Sequence, residues 1–383
     1  MVIERLRAWS CYDQSMMHTQ DPFSLKTDTY IVNSPVATLY ELPEFTVVQI
    51  SGLDAVSFLQ GQITNDIAGA DLNVARLAGY CTAKGRLLAT MVLGHLPTIE
   101  HEPPALFAVL RQDIVEPVIK RLRLFVMRAK VSFTDAPMSV LGDSTTPAQR
   151  AQLEQLLGHT LPAGAWQTQH HATGIWIAAP GSAGTNNLPV SSGTSLRWWW
   201  LSSPAQQSVN AAMRPAFAIC PSAQWQVQDI EAGLPWIEAA TQDLFIPQTL
   251  NLDLIEGVSF TKGCYPGQEI VARSHYRGTV KRRMAGATLS LQTVQDNDIP
   301  TNSTTVAGSS EIAQVLPGAD MYDREHADQP CGRIINVSTS GDQTFLLFEA
   351  TFEAIDHQAL RAASATGPAV TLQDLPYSTR PEG

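Results

Sequence analysis

Apolar positions recur with two different periods along this chain, and the period changes often enough to predict many short elements. Glu44–Ile50 (EFTVVQI) alternates in part and predicts a half-buried strand. Ser51 follows as a predicted helix N-cap, with Asp54 as the acid three residues on, before an amphipathic run through Phe58-Leu59 that Gly61 and Asn65-Asp66 end. Ala75–Thr82 and Arg86–His95 read as a hairpin turned by Ala83-Lys84-Gly85, and Ala105–Leu110 as a further strand. Asp113–Phe125 sets Ile114, Val118, Leu122 and Phe125 near helical spacing, with Pro117 in the first turn or so, where a missing N–H costs little. Lys130–Asp135 and Met138–Gly142 return to strand, Pro147–Gly158 is a helix and Gly174–Ala179 a strand.

Gly181–Thr194 is rich in Gly, Ser and Asn and reads as a loop. Pro204–Phe217 and residues 224–234 read as helices, the second stopped by Gly233 and Pro235, and Phe245–Asn251 as extended chain. After Arg283 the pattern becomes β-rich: Ala285–Leu291, Glu311–Val315, Gly332–Ser338 and Thr344–Phe352, with turn clusters between them and a short strand at Ala369–Leu372. That texture predicts a small barrel or sandwich over 284–383 with a polar tail, and a domain boundary at about 284. Residues 1–33 read as a loose arm that admits a helix at 2–8. The mixture of hairpins and helices predicts antiparallel α+β layers, and neither GxGxxG nor GxxxxGK[ST] occurs to support a nucleotide fold.

A chain of 383 residues predicts two or three domains, and 44% apolar with 16% charged residues fits a globular protein. No stretch reaches the roughly 18 uninterrupted apolar residues of a membrane span. Glu4, Asp13 and Asp21 argue against a secretory or transit segment, so the cytoplasm is the expected compartment. The five cysteines form no CxxC pair, which disfavours a disulfide framework or a self-contained metal or cluster site. His170-His171 face opposite sides of a strand and lack an acidic or cysteine partner at ligand spacing, so no metal site is assigned. Trp198-Trp199-Trp200 reads as packing on two faces rather than a platform for bases. A net charge of −11 argues against a general nucleic-acid coat, and direct nucleic-acid binding is not expected.

One stretch departs from that charge. Phe260–Arg283 (FTKGCYPGQEIVARSHYRGTVKRR) carries Lys262, Arg273, Arg277, Lys281, Arg282 and Arg283 against Glu269 alone, whereas the hundred residues after it carry four arginines against thirteen acids. Cys264 lies just before a predicted helix that begins near Gly267-Gln268-Glu269. A helix start and nearby cations both favour thiolate. On chemistry alone two readings stand: a reactive or ligand thiol beside an anion-binding surface, or a small residue in a tight turn with solvated cations.

Over residues 228–283 the chain resembles the YgfZ family of folate-binding proteins, distant relatives of the glycine-cleavage T-protein. The resemblance is carried by Ile230-Glu231-Ala232-Gly233-Leu234-Pro235, Phe245-Ile246-Pro247-Gln248, Asn251-Leu252 and above all Lys262-Gly263-Cys264-Tyr265-Pro266-Gly267-Gln268-Glu269. Weaker similarity runs through Gly52–Asp66, Cys81–Leu88 and Cys331-Gly332-Arg333, whereas 141–200 match poorly and are expected to be an insertion. The resemblance implies an α+β, T-protein-like ring of three domains, with a ferredoxin-like N-terminal part, two interleaved subdomains over 34–283 and a C-terminal β-barrel around a central folate site. It further implies tetrahydrofolate as cofactor, a part in assembling or repairing iron–sulfur clusters, and assembly proteins or cluster enzymes, tRNA-modifying ones included, as partners.

Residue by residue, Glu231 matches the glutamate that hydrogen-bonds the pterin, and Lys262, Gly263, Cys264, Tyr265, Gly267, Gln268 and Glu269 match the signature, which implies Tyr265, Gly267, Gln268 and Glu269 as further cofactor-binding residues. Charge adds Arg273 and Arg277 as holders of a folate tail or another anion. The T-protein's Asp-Asp pair is replaced here by Ala89-Thr90, which cannot bear charge. The expectation is therefore folate binding with Cys264 and Lys262 as the reactive groups and no conventional turnover. A folate-dependent aminomethyl transferase and a tRNA-binding module are the alternatives.

Overall fold

The computed structural model describes residues 34–97, 100–181, 195–276, 280–290 and 312–380. The arm at 1–33, most of the Gly181–Thr194 loop, Arg277 and Glu311 lie outside the described residues.

The chain builds three sheets and leaves the first of them twice. Strand β1 (Ala37–Glu41) is followed by β2 (Phe45–Ser51), β3 (Arg76–Cys81), β4 (Leu87–His95), β5 (Ala105–Arg111) and β6 (Ser132–Asp135). Strands β2 to β6 form one sheet in the order β3-β4-β5-β2-β6, antiparallel wherever neighbours pair. The chain then returns through β7 (Ser139–Thr145), β8 (Thr168–His171), β9 (Gly174–Ala178), β10 (Leu196–Ser202) and β11 (Phe217–Cys220) to complete a sheet ordered β11-β1-β7-β10-β9-β8. Residues 141–200 thus supply most of that sheet. The third sheet takes β12 (Arg282–Ser290), β13 (Asp320–Asp323), β14 (His326–Ser340), β15 (Gln343–Thr351), β16 (Leu360–Ala362) and β17 (Thr371–Gln373) in the order β16-β13-β14-β15-β12-β17, and curls into a half-barrel. The α+β reading of the sequence is the architecture found.

Strand β10 shows how the hydrophobic pattern fixes the layers. Side chains alternate across a strand, and Trp199 enters the main core while Trp198 and Trp200 enter a second apolar cluster on the other face. Trp199 meets Phe45 at 5.0 Å, and Phe45 in turn meets Trp236 at 4.7 Å, both edge-on, so rings from two strands and from the segment after the Ser222–Glu231 helix close the same core. All three tryptophans are buried, so this trio offers no platform for bases.

Several elements differ from expectation for identifiable reasons. Ser51 ends β2 instead of capping a helix, because the ladder extends to Ser51 opposite Ser132, and the two hydroxyls bond at 2.9 Å. Asp54 takes the N-cap position of the helix Ala55–Gln60, and its carboxylate accepts from Lys130 N at 2.7 Å rather than from its own helix. The helix expected to reach Phe217 ends at Ala211, and Phe217–Cys220 becomes β11, parallel to β1. Phe245–Asn251 is not extended: Pro247 starts a 3-10 turn over Pro247–Leu250, closed by Asn251 in the left-handed region at φ 58°.

Candidate functional site

The Lys262–Gln268 stretch alternates between anchored and exposed residues. Lys262 is buried, and its Nζ donates to Gln60 O at 2.5 Å and Ile63 O at 2.6 Å, the carbonyls at the end of the Ala55–Gln60 helix. Burial lowers this amine to about 8, with Asp66 opposing. The same Nζ lies 5.1 Å from the centre of the Tyr265 ring. Tyr265 is itself buried, and burial pushes its phenol well up, helped by neighbouring Cys81. Between these two anchors Gly263 and Cys264 are exposed. Elsewhere, burial pushes Cys81 up to about 12 and Cys331 up to about 11.

Two glycines interlock the stretch with the β3–β4 hairpin. Gly267 has φ 81°, and a Cβ there would stand 2.5 Å from Thr82 O and 2.6 Å from the Gly85 Cα. Gly85 has φ 72°, and its own Cβ would meet Ile270 at 3.0 Å. Backbone therefore lies on backbone, which only glycine permits. The helix Gln268–Tyr276 begins directly from this contact, with exposed Glu269 in its first turn where a carboxylate suits the dipole. Gln248 Nε2 holds the helix from below by donating to Val271 O at 2.5 Å.

The basic residues are mostly committed. Arg283 is buried and makes a bidentate pair with Asp253 at 2.6 and 2.9 Å. Arg282 donates to Glu349 at 3.2 Å and to Cys331 O at 3.0 Å. Arg273 and Lys281 are the exposed cations of the stretch among the described residues. Among the described residues the expected broad cationic face therefore reduces to two exposed groups, because the paired acids come from distant segments that the local count of charges does not see.

Glu231 ends the helix Ser222–Glu231, and Gly233 just beyond turns the chain at φ 64°. Its carboxylate is exposed and, among the described residues, takes no hydrogen bond. Surrounding protein raises it above the usual carboxylate range, with Arg197 opposing. Behind it, Tyr377 donates to Gly233 O at 2.8 Å, and Asn251 Nδ2 donates to Met284 O at 2.9 Å. Ala89 and Thr90 are fully buried, and Thr90 Oγ1 accepts from Ile237 N at 2.9 Å, so this pair ties β4 to the segment after Glu231.

Two surface clefts lie elsewhere. One of about 450 Å³ is lined by Leu39, Pro43, Met138, Trp200 and Arg214, and one of about 830 Å³ by Asp71, His95, Gln169, His170 and His171. Neither includes Cys264, Lys262 or Glu231. Sequence reading missed the partners that hold the site, Gln60, Ile63, Thr82 and Gln248, since they are remote in the chain. It also missed a convergence of Asp323, His326 and His357 in the third sheet, where only the Asp-Arg-Glu-His turn gave a signal.

No family model matches the chain. A tRNA-modifying protein YgfZ of Sodalis glossinidius is 32% identical over 251 residues, 64% of this chain and 70% of the relative. One of Yersinia pseudotuberculosis is 34% identical over 251 residues, covering 64% and 69%. The chain belongs to the YgfZ family. A further YgfZ, from Edwardsiella ictaluri, is 30% identical over 270 residues, 70% of this chain and 76% of its own. Among solved structures, the glycine cleavage system aminomethyltransferase T from Bartonella henselae superposes with a TM-score of 0.61 at 13% identity, over 90% of this chain and 86% of that one. This YgfZ-family chain therefore has the T-protein-like α+β fold.

Proposed function

We propose that the chain is a tetrahydrofolate-binding protein that supports assembly or repair of iron–sulfur clusters, and through them the tRNA modification for which its relatives are named. The observation that carries this reading is the exposed Cys264 held between buried Lys262 and Tyr265 and fixed by the Gly267–Gly85 interlock. Lys262, with its amine turned to two carbonyls, positions the thiol, and Cys264 supplies the redox or ligand chemistry. Tyr265, Gly267, Gln268 and Glu269 shape the support. Glu231 fits a pterin because an exposed carboxylate with free acceptor oxygens matches an edge of paired N–H donors. Bound folate would supply a carrier for a one-carbon unit; Arg273 and Arg277 would take its anionic tail. Iron–sulfur assembly proteins or cluster enzymes are the partners this predicts, in the cytoplasm.

A transferase role is disfavoured by buried Ala89 and Thr90, which put no acid where the T-protein pair would stand. A tRNA platform is disfavoured by the buried tryptophans and the paired Arg282 and Arg283.

Titration of purified protein with tetrahydrofolate tests the cofactor. Loss of a charge-assisted pair costs about 1.5–3 kcal/mol, so Glu231→Ala should weaken binding roughly 10- to 100-fold. Equal affinity in both proteins would sink the assignment. In cells lacking the endogenous gene, Cys264→Ala should keep tetrahydrofolate affinity and fail to restore cluster-dependent tRNA modification; full restoration removes the thiol from the proposal.

A further inference from the structure

Away from the folate reading, and independent of it, three side chains converge at one end of the third sheet. Asp323 is the last residue of β13 and is buried. A two-residue turn, Arg324-Glu325, sets His326 directly opposite it on β14. The turn is pinned from both sides: Glu325 N donates to Asp323 Oδ1 at 3.1 Å, and Arg324 N donates to Ala359 O at 3.0 Å. On the other flank Asp323 pairs with Leu360 of β16. His357 ends the helix Phe352–His357, and Gln358, in the left-handed region at φ 54°, turns the chain straight into that strand. Two paired strands and a helix end thus deliver the three side chains to one point.

The atoms that meet are one carboxylate oxygen and two imidazole nitrogens. Asp323 Oδ2 lies 2.6 Å from His357 Nδ1 and 3.6 Å from His326 Nδ1, and all three potential ligand atoms fall within 4.8 Å of one another. The rings lean over one another with centres 5.8 Å apart and 23° between planes. Glu325 Oε2 stands 3.5 Å from the far nitrogen of His357. A tetrahedral ion with bonds of about 2.0–2.1 Å holds its ligand atoms roughly 3.4 Å apart. The His326–Asp323 separation already has that length, and the His357–Asp323 contact must open by less than 1 Å. One shared proton satisfies His357 and Asp323, and at 3.6 Å His326 is beyond hydrogen-bond reach of the same oxygen.

We infer that Asp323, His326 and His357 form a binding site for a single divalent ion of the zinc class, with a fourth position open to water on the exposed His326 side. Two imidazoles and one carboxylate suit zinc, cobalt or nickel, whereas magnesium and calcium take oxygen donors. The ion would clamp the β13–β14 turn to the end of the Phe352–His357 helix.

The test is binding of zinc chloride to the full metal-stripped chain, read by calorimetry and by thermal melting, with magnesium chloride as the comparison. Wild type should take up one zinc ion at micromolar concentration or below and melt higher with it, while a hundredfold excess of magnesium leaves both unchanged. His326→Ala, a half-exposed position whose loss should spare the fold, should lower zinc affinity at least tenfold and abolish the zinc-dependent rise in melting temperature. Asp323→Asn should do the same, whereas His171→Ala should not. Absence of zinc uptake by wild type, or equal uptake by His326→Ala, overturns the site.

Discussion

Lys262 shows how a residue can keep its place in a motif and take a different part from the one its charge suggests. Six cations in 24 residues read as a solvated or anion-binding face. The structure instead turns this amine inward onto the Gln60 and Ile63 carbonyls, some 200 positions earlier in the chain. Its lowered value, about 8 against about 10.4 for a free lysine, makes a signed prediction. Between those two values the unfolded chain binds the proton that the folded chain has released, so this group makes stability rise with pH across that window, by at most about 3 kcal/mol. Below pH 8 both states are protonated and the slope from this group vanishes. Urea unfolding at pH 7.5 and 10, compared with Lys262→Met, checks it: the variant should lack the added rise, and parallel curves would show that the carbonyl bonds hold the amine protonated.

At the level of elements, the interlocked turns connect two motifs that the sequence displayed separately. Cys81–Leu88 and Lys262–Glu269 were both legible as words, but not that one turn lies on the other, because backbone contact leaves no side-chain pattern. Gly267→Ala should cost about 2–4 kcal/mol, from a left-handed backbone and a clash with the Thr82 carbonyl. Chemical denaturation would measure it, and a loss under 1 kcal/mol would mean the hairpin moves aside easily. The hairpins β3–β4 and β14–β15 and the helices at 115–125 and 222–231 were visible because their apolar periods are local. Strand β1 was not, since five residues beside a polar corner carry too little pattern, and its ladder with β11 joins residues 180 positions apart. The extended reading of Phe245–Asn251 failed where Pro247 and Asn251 set local turn geometry against the apolar run. For the candidate site, the exposed thiol and its flanking glycines could be read from sequence, but the burial of Lys262 and the acids paired to Arg282 and Arg283 could not.

For the whole molecule, the junction at 282–284 ties the third sheet to the rest. Arg283 grips Asp253, Met284 O receives Asn251, and Tyr377 reaches back to Gly233. We propose 34–283, with two interleaved subdomains, and 284–383 as the two units that this seam would join. Arg283→Ala leaves Asp253 with an unpaired, nearly buried charge and should destabilise the protein by about 3–5 kcal/mol. Arg273→Ala, on an exposed position, should change stability by less than 0.5 kcal/mol. Scanning calorimetry of both variants separates the two, and a mild effect at Arg283 would make the seam a loose contact.

Strand β1 carries one more consequence, for the nascent chain. It lies between β11 and β7, both made after the whole β2–β6 sheet is complete, β11 the later of the two. Throughout that interval of translation the strand has two unpaired edges, each a template for pairing with another chain. The ribosome therefore releases a finished β2–β6 sheet while the sheet of β1 is still incomplete. Until Phe217–Cys220 emerges, holding β1 apart from its neighbours falls to a chaperone or to the speed of synthesis.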